Sequence, residues 1–288
     1  MQQHTKDSGD AAKLEEYAKS DKYSEILHSN TSVLDMLEQY SSIDLPFEKF
    51  LGLLQPLRLR HYSISSSPLP NARICTLTYS VIDEPSTVDH QKRFQGVTGT
   101  YLRSLGPGDQ ILVSIRSTNK FFHLPIDMDK TPIMMFCAGS GIAPFRGFIQ
   151  ERAVLIQEGN RKLAPALLFV GCRSPKTDRL YGDQFDEWVR IGAVDIRYAF
   201  SRDADASQGC KYIQDRLIKD KEEVYNIWDS GAKVFICGSG QLAKEFGQAA
   251  RTVIKERMAA HGKDISDEKL NDWIANMRND RFVADVFS

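Results

Sequence analysis

A chain of 288 residues, 42% hydrophobic and 26% charged, is long enough to bury a sizeable core and has room for about two domains. Its 37 Lys and Arg balance 38 Asp and Glu, for a net charge of −1, which argues against a basic nucleic-acid binder or an acidic tail protein. The longest apolar runs, such as Ile133 to Ala138 and Ala166 to Val170, fall far short of the ~20 residues of a membrane span, and Met1 to Asp7 lacks the apolar core of a secretory signal.

Residues 1–55 read as helix and linker. Val33, Leu34, Met36, Leu37 and Tyr40 follow helical spacing, and Ser32 with Asp35 resembles a capping box. Pro46 and Pro56 bracket a short helix from Phe47 to Leu54, since proline cannot continue the hydrogen-bond ladder. From Leu57 to about Leu124 the period changes to two. Cys75, Leu77, Tyr79 and Val81 alternate with Thr76, Thr78 and Ser80, and Ile111, Val113 and Ile115 repeat the pattern after a Gly106-Pro107-Gly108-Asp109 turn. Such alternation predicts half-buried antiparallel strands, a barrel or part of one.

From Thr131 onward short apolar runs alternate with helical segments. The runs are 133–137, 166–170, 194–200, 233–237 and 282–287, and the helices lie near 144–158, 183–190, 210–229, 241–260 and 266–279. Continuous apolar strands between helices predict a parallel sheet covered on both faces. Such sheets bind ligands beyond the carboxyl ends of their strands, so the loops there are the places to search.

Five cysteines, an odd number with no Cys-x-x-Cys pair, argue against a disulfide framework or a structural metal site and fit a reducing, cytoplasmic setting. Cys75, Cys137, Cys172 and Cys237 sit in apolar runs and read as buried small hydrophobes.

The first run is followed by Gly139-Ser140-Gly141-Ile142-Ala143-Pro144. Glycines between a buried strand and a helix let backbone N–H groups approach a phosphate, where the helix N-terminus adds positive potential. Gly171-Cys172-Arg173-Ser174 follows the second run. Ser201-Arg202-Asp203, then Lys211, Tyr212 and Gln214, follow the third, and Cys237-Gly238-Ser239-Gly240 ends the fourth. Ser, Arg and Lys at a strand end suit the 2′-phosphate of NADP, whereas a solvated charged turn is the plainer reading of any one such loop. Four consecutive strand ends with polar or Gly-rich loops favour the nucleotide. In the period-two region Arg60, Tyr62 and Ile64 would share one strand face and His61, Ser63 and Ser65 the other, a mixture suited to a planar, phosphorylated cofactor such as a flavin.

Arg60-His61-Tyr62-Ser63-Ile64-Ser65-Ser66 resembles the Arg-x-Tyr-Ser-x-x-Ser motif of the ferredoxin–NADP reductase superfamily. With Gly96-Val97-Thr98-Gly99-Thr100, Gly139 to Phe145, Gly171 to Ser174, Ser201-Arg202, Cys237-Gly238 and Asp285-Val286-Phe287, the chain resembles the NADPH-dependent diflavin reductase family, cytochrome P-450 reductase type. It is nearest in pattern to the C-terminal reductase part of self-sufficient fatty-acid monooxygenase fusions. The resemblance implies an antiparallel FAD-binding β-barrel, N-terminally truncated, followed by a parallel-sheet, Rossmann-like NADPH domain. The implied divisions are a partial helical connecting segment over 1–55, part of the barrel over 56–128 and the NADPH domain over 129–288. The chain would begin inside the connecting segment, leaving the first barrel strands unsupplied.

The same resemblance implies residue roles. Arg60 would hold the FAD pyrophosphate, Tyr62 would pack on the isoalloxazine, and Ser63 would lie near its N5. Gly96, Val97, Thr98 and Gly99 would cradle the FAD diphosphate, with Gly at 99 where relatives usually carry Ser or Thr. Gly139, Ser140, Gly141 and Pro144 would hold the diphosphate and nicotinamide side of NADPH. Arg173, Ser201, Arg202, Lys211 and Tyr212 would hold its adenosine 2′-phosphate, with Gln214 nearby. Ser63, Cys237 and Asp285 match the hydride-transfer trio, and Phe287 the C-terminal aromatic that stacks on the flavin, Phe rather than the more common Trp. The implied activity is hydride transfer from NADPH to FAD, with electrons passed to FMN and a haem centre on missing or partner domains. These would be an FMN-binding flavodoxin-like domain and a haem monooxygenase domain. The alternatives are a sulfite-reductase-type flavoprotein and a nucleotide-binding fragment without competent FAD.

Overall fold

In a computed structural model the described residues are 1–117 and 119–287. They divide into two units, Met1–His61 with Ser80–Ile111, and Tyr62–Tyr79 with Leu112–Ser288.

The first unit opens with helices α1 (Ser8–Tyr17), α2 (Ser20–His28) and α3 (Val33–Gln39). Asp7 caps α1 by accepting the Asp10 N–H at 2.8 Å. Ser32 and Asp35 form the expected capping box at α3, each accepting the other's backbone N–H, at 3.1 and 2.8 Å. A small core of Leu14, Met36 and Tyr40 is closed by the edge of Tyr17. Helix α4 (Phe47–Leu53) follows Pro46 as expected, but none of its residues is buried. A hairpin of β1 (Asp83–Pro85) and β2 (Arg93–Gln95) leads into α5 (Val97–Ser104).

The second unit is built on five parallel strands, β3 (Ile133–Ala138), β4 (Ala166–Cys172), β5 (Asp195–Phe200), β6 (Lys233–Ser239) and β7 (Phe282–Phe287). They lie in the order β5-β4-β3-β6-β7. The helices between them are α6 (Ala143–Gln157), α7 (Gly182–Arg190), α8 (Ile213–Lys219), α9 (Lys221–Asp229), α10 (Gly240–Ala260) and α11 (Asp267–Met277). Alternate residues feed two cores. Ile133, Met135 and Cys137 join Phe145, Ile149 and Phe235 in one, while Met134 and Phe136 join Phe169, Leu217 and Phe246 in the other. A strand buried on both faces must be apolar at successive positions, which is why these runs were legible. The strand order reverses between β3 and β6, the switch point at which such sheets open a crevice.

Three expectations need correction. The segments 75–81 and 111–115 carry the alternation of strands, yet among the described residues they form no sheet. The segment 62–79 makes only an isolated antiparallel bridge, Ile64 to Leu77, beside a 2.8 Å bond from the Ser65 N–H to the Thr76 carbonyl. Leu112, Val113 and Ile115 are exposed. Alternation records which side chains prefer a common face, whereas a strand exists only where a ladder partner takes up its N–H and C=O groups. For the same reason Cys75 is exposed rather than buried, while Cys137 and Cys237 are buried and Cys172 is half-buried. The single helix expected over 210–229 is two, α8 and α9, broken at Asp220.

Candidate functional site

At the carboxyl edge of the sheet the register places Cys237 opposite Cys137 on one side and opposite Asp285 on the other. The turn after β3 presses against the same point. A Cβ on Gly141 would lie 2.3 Å from the Cys237 carbonyl oxygen and 3.1 Å from the Gly238 Cα, so only glycine allows this approach. Burial, then the neighbouring Asp285 charge, pushes the Cys237 thiol up to about 12. The thiol therefore stays protonated at neutral pH. Asp285 is half-buried, and among the described residues its carboxylate has no ion-pair partner. It lies on β7, one strand beyond the switch point, beside Cys237. Phe287, at the end of β7 and opposite Ser239, is exposed.

Ser63 belongs to the same unit and is half-buried, but no hydrogen bond among the described residues ties it to Cys237 or Asp285. Its neighbours are held firmly to α6. Arg146 is buried and its Nη1 donates to the Ser65 carbonyl at 2.6 Å, while Nε donates to Gln184 at 3.0 Å. The Ser67 N–H donates to Gln150 and the Ser67 hydroxyl to Glu151. Tyr62 meets Tyr79 edge-on, with ring centroids 6.0 Å apart. Pro144 is buried in the first turn of α6, where its missing N–H costs nothing.

A second group lies past β4 and β5. The Ser201 N–H donates to the Cys172 carbonyl and the Arg202 N–H to the Arg173 carbonyl, at 2.9 and 2.8 Å. The Phe200 N–H donates to the Cys210 carbonyl, drawing Lys211 and Tyr212 to the same strand ends. Asp215 accepts both their backbone N–H groups, at 3.0 and 2.9 Å. Arg202, Lys211 and Tyr212 are exposed, and neither cation has a carboxylate partner among the described residues. Gln214 instead donates to Glu245 of α10 at 2.9 Å, so it is engaged in packing. Asp178, Asp215 and Arg146 also hold the site, and of these only Arg146, a cation inside an apolar helix, carries a signal in the sequence.

In the first unit, Gly96 caps α5 without a side-chain acceptor, leaving the first N–H groups of the helix, from Val97 and Thr98 onward, without a cap. Gly99 is buried against the Ser80 carbonyl, where a Cβ would stand 3.0 Å away. This explains why no hydroxyl side chain occupies position 99. The Thr100 hydroxyl is buried with no partner among the described residues. Uncapped N–H groups beside an orphaned hydroxyl fit a diphosphate. Arg60 is exposed, and its Nη1 donates to the Arg58 carbonyl. Among the described residues no cluster of His, Cys, Asp and Glu is set to hold a metal ion, and no helix is long and apolar enough to cross a membrane.

Residues 1–101 match the FAD binding domain, and residues 135–247 match the oxidoreductase NAD-binding domain. Together with the five-stranded parallel sheet, these define a flavoprotein oxidoreductase of the ferredoxin-reductase type, with sites for FAD and NADPH. The chain belongs to the NADPH-dependent diflavin reductase family, cytochrome P-450 reductase type. It is 46% identical over 283 residues to a bifunctional cytochrome P450/NADPH–P450 reductase of Fusarium oxysporum, covering 98% of this chain and 26% of that protein. It is 44% identical to a self-sufficient cytochrome P450 monooxygenase of Phanerodontia chrysosporium, again over 98% of this chain and 26% of the other. A third such fusion, from Acremonium egyptiacum, is 39% identical over 96% of this chain and 25% of that protein. The chain thus spans about a quarter of the length of the curated relatives it matches.

Proposed function

We propose that this chain is the NADPH-oxidising module of an NADPH–haemoprotein reductase. It takes hydride from NADPH onto FAD, and the electrons pass to an FMN-binding flavodoxin-like domain and a haem monooxygenase domain, in the same chain or a separate one, in the cytoplasm. FAD, when bound, supplies an acceptor that takes two electrons together and releases them singly. On this reading residues 56–128 serve FAD, with 1–55 as the connecting segment, and 129–288 bind NADPH.

The observation that carries this reading is the sheet register that pairs Cys237 with Asp285 under the Gly141 turn. Nicotinamide gains positive charge as its hydride leaves, so a carboxylate fixed at Asp285 stabilises the transition state more than the ground state. Cys237, protonated and buried, excludes water beside Asp285 without acting as a nucleophile. Gly139, Ser140 and Gly141 offer backbone N–H groups to the diphosphate at the start of α6. Arg173, Ser201, Arg202 and Lys211 take the 2′-phosphate, and Tyr212 offers a flat face to the adenine. Arg60, Gly96, Val97, Thr98 and Gly99 would hold the FAD diphosphate. Tyr62, Ser63 and Phe287 would serve its ring.

The test is an anaerobic NADPH titration of the chain supplied with FAD, following the flavin absorbance band. Stoichiometric bleaching is expected. FAD that remains oxidised while NADP binds would overturn the hydride-transfer assignment.

A further inference from the structure

The loop after β4 is organised around one carboxylate. Asp178 accepts the Arg173 N–H at 2.8 and 2.9 Å through its two oxygens and the Ser174 N–H at 2.9 Å. It also accepts the Nε–H of the Arg173 side chain at 3.1 Å. The Asp178 side chain is only 19% exposed, whereas that of Arg173 is 62% exposed. Burial alone would raise the Asp178 carboxyl, but the three donor groups outweigh it and hold the carboxyl below its ordinary value.

The consequences extend beyond Arg173. The bond to Nε restrains the guanidinium and leaves Nη1 and Nη2, which have no partner among the described residues, free to donate from a mostly exposed side chain. Holding the Arg173 N–H fixes the peptide whose carbonyl, that of Cys172, accepts the Ser201 N–H, and holding the Ser174 N–H fixes the next peptide, whose carbonyl, that of Arg173, accepts the Arg202 N–H. A single carboxylate thus sets the positions of two cations and one hydroxyl.

We propose that Asp178 is the positioning residue of the 2′-phosphate site, pre-ordering Arg173 directly and Ser201-Arg202 through the backbone. The inference rests on the reading of this strand end as the NADPH 2′-phosphate site. It makes a prediction opposite in sign to simple charge repulsion. A carboxylate beside a dianion should weaken binding by Coulomb's law, so its removal would tighten binding if position were unimportant. If Asp178 orders the donors, its removal weakens binding, because a phosphate must then organise a loose guanidinium at its own entropic expense.

The experiment is calorimetric titration of the full chain and of Asp178→Asn with 2′,5′-ADP and with 5′-AMP, which lacks the 2′-phosphate. Loss of this charge-assisted bonding should weaken 2′,5′-ADP about tenfold and leave 5′-AMP within about twofold. Asp178→Glu keeps the charge but moves it by one methylene. It should weaken 2′,5′-ADP as well, and it answers the question if the Asn variant does not fold. Unchanged or tighter 2′,5′-ADP binding in a folded variant would overturn the role of Asp178, as would equal weakening of both ligands. If the parent chain prefers 2′,5′-ADP no more than 5′-AMP, the reading of this strand end as a 2′-phosphate site fails, and the inference falls with it.

Discussion

Substituting Gly141 by Ala should damage hydride transfer far more than nucleotide affinity. The added Cβ would lie 2.3 Å from the Cys237 carbonyl oxygen, 2.9 Å from its carbon and 3.1 Å from the Gly238 Cα, all backbone atoms that cannot rotate away. Restoring ordinary contact requires the turn and the end of β6 to separate by about 1 Å, and a displacement of that size at a reacting centre costs about a hundredfold in rate. The overpacking itself should destabilise the fold by about 1–3 kcal/mol. The donors proposed for the 2′-phosphate lie past β4 and β5, away from this contact. Binding of 2′,5′-ADP should therefore stay within about twofold. Stopped-flow flavin reduction by NADPH, together with thermal melting, separates the two effects. A folded Gly141→Ala chain that reduces flavin at the parent rate would refute the claim that this approach sets the geometry of the nicotinamide pocket.

Three further outcomes are expected. Asp285→Asn should slow flavin reduction by about a hundredfold or more, as for loss of other preorganised electrostatic groups, with NADP affinity nearly unchanged; equal rates in stopped flow would remove Asp285 from the reaction. Arg146→Met should lower stability by about 1–3 kcal/mol by leaving the Ser65 carbonyl and Gln184 without their donor, measurable as the midpoint of urea unfolding, and a change within about 0.5 kcal/mol would refute the strut assigned to it. For Cys237, folding lifts the thiol from an ordinary 9.0 to about 12, so the folded state keeps a proton that the unfolded chain releases. The resulting stability is complete below pH 9 and declines as pH rises toward 12, by roughly 4 kcal/mol. Unfolding midpoints across this range, compared with Cys237→Ser, should show a shallower alkaline loss in the variant, and identical slopes would contradict it.

Local sequence marks the strand ends of the candidate site but not the groups that hold them. Arg173, Ser201 and Arg202 could be singled out because cations and hydroxyls at the end of an apolar run are chemically conspicuous. Asp178 and Asp215 could not, because an acidic residue in a loop looks the same whether it is solvated or accepts two backbone N–H groups. Gln214 shows the converse, a polar residue at a suggestive spacing that is engaged by Glu245.

The sequence by itself determined the parallel sheet, its five strands and the helices between them, except for the break at Asp220 that divides α8 from α9. The inner strands β4, β3 and β6, covered on both faces, are near-continuous apolar runs, and a glycine turn into a helix leaves its own signature. It also determined the capping box at Ser32 and the breaks at Pro46 and Pro56, which are local. Only the tertiary structure decided that Cys237 stands opposite Asp285, that position 99 presses on the Ser80 carbonyl, and that 75–81 and 111–115 extend without a ladder. Register, close approach and strand pairing each depend on a partner distant in the chain, and no local pattern of residues names that partner.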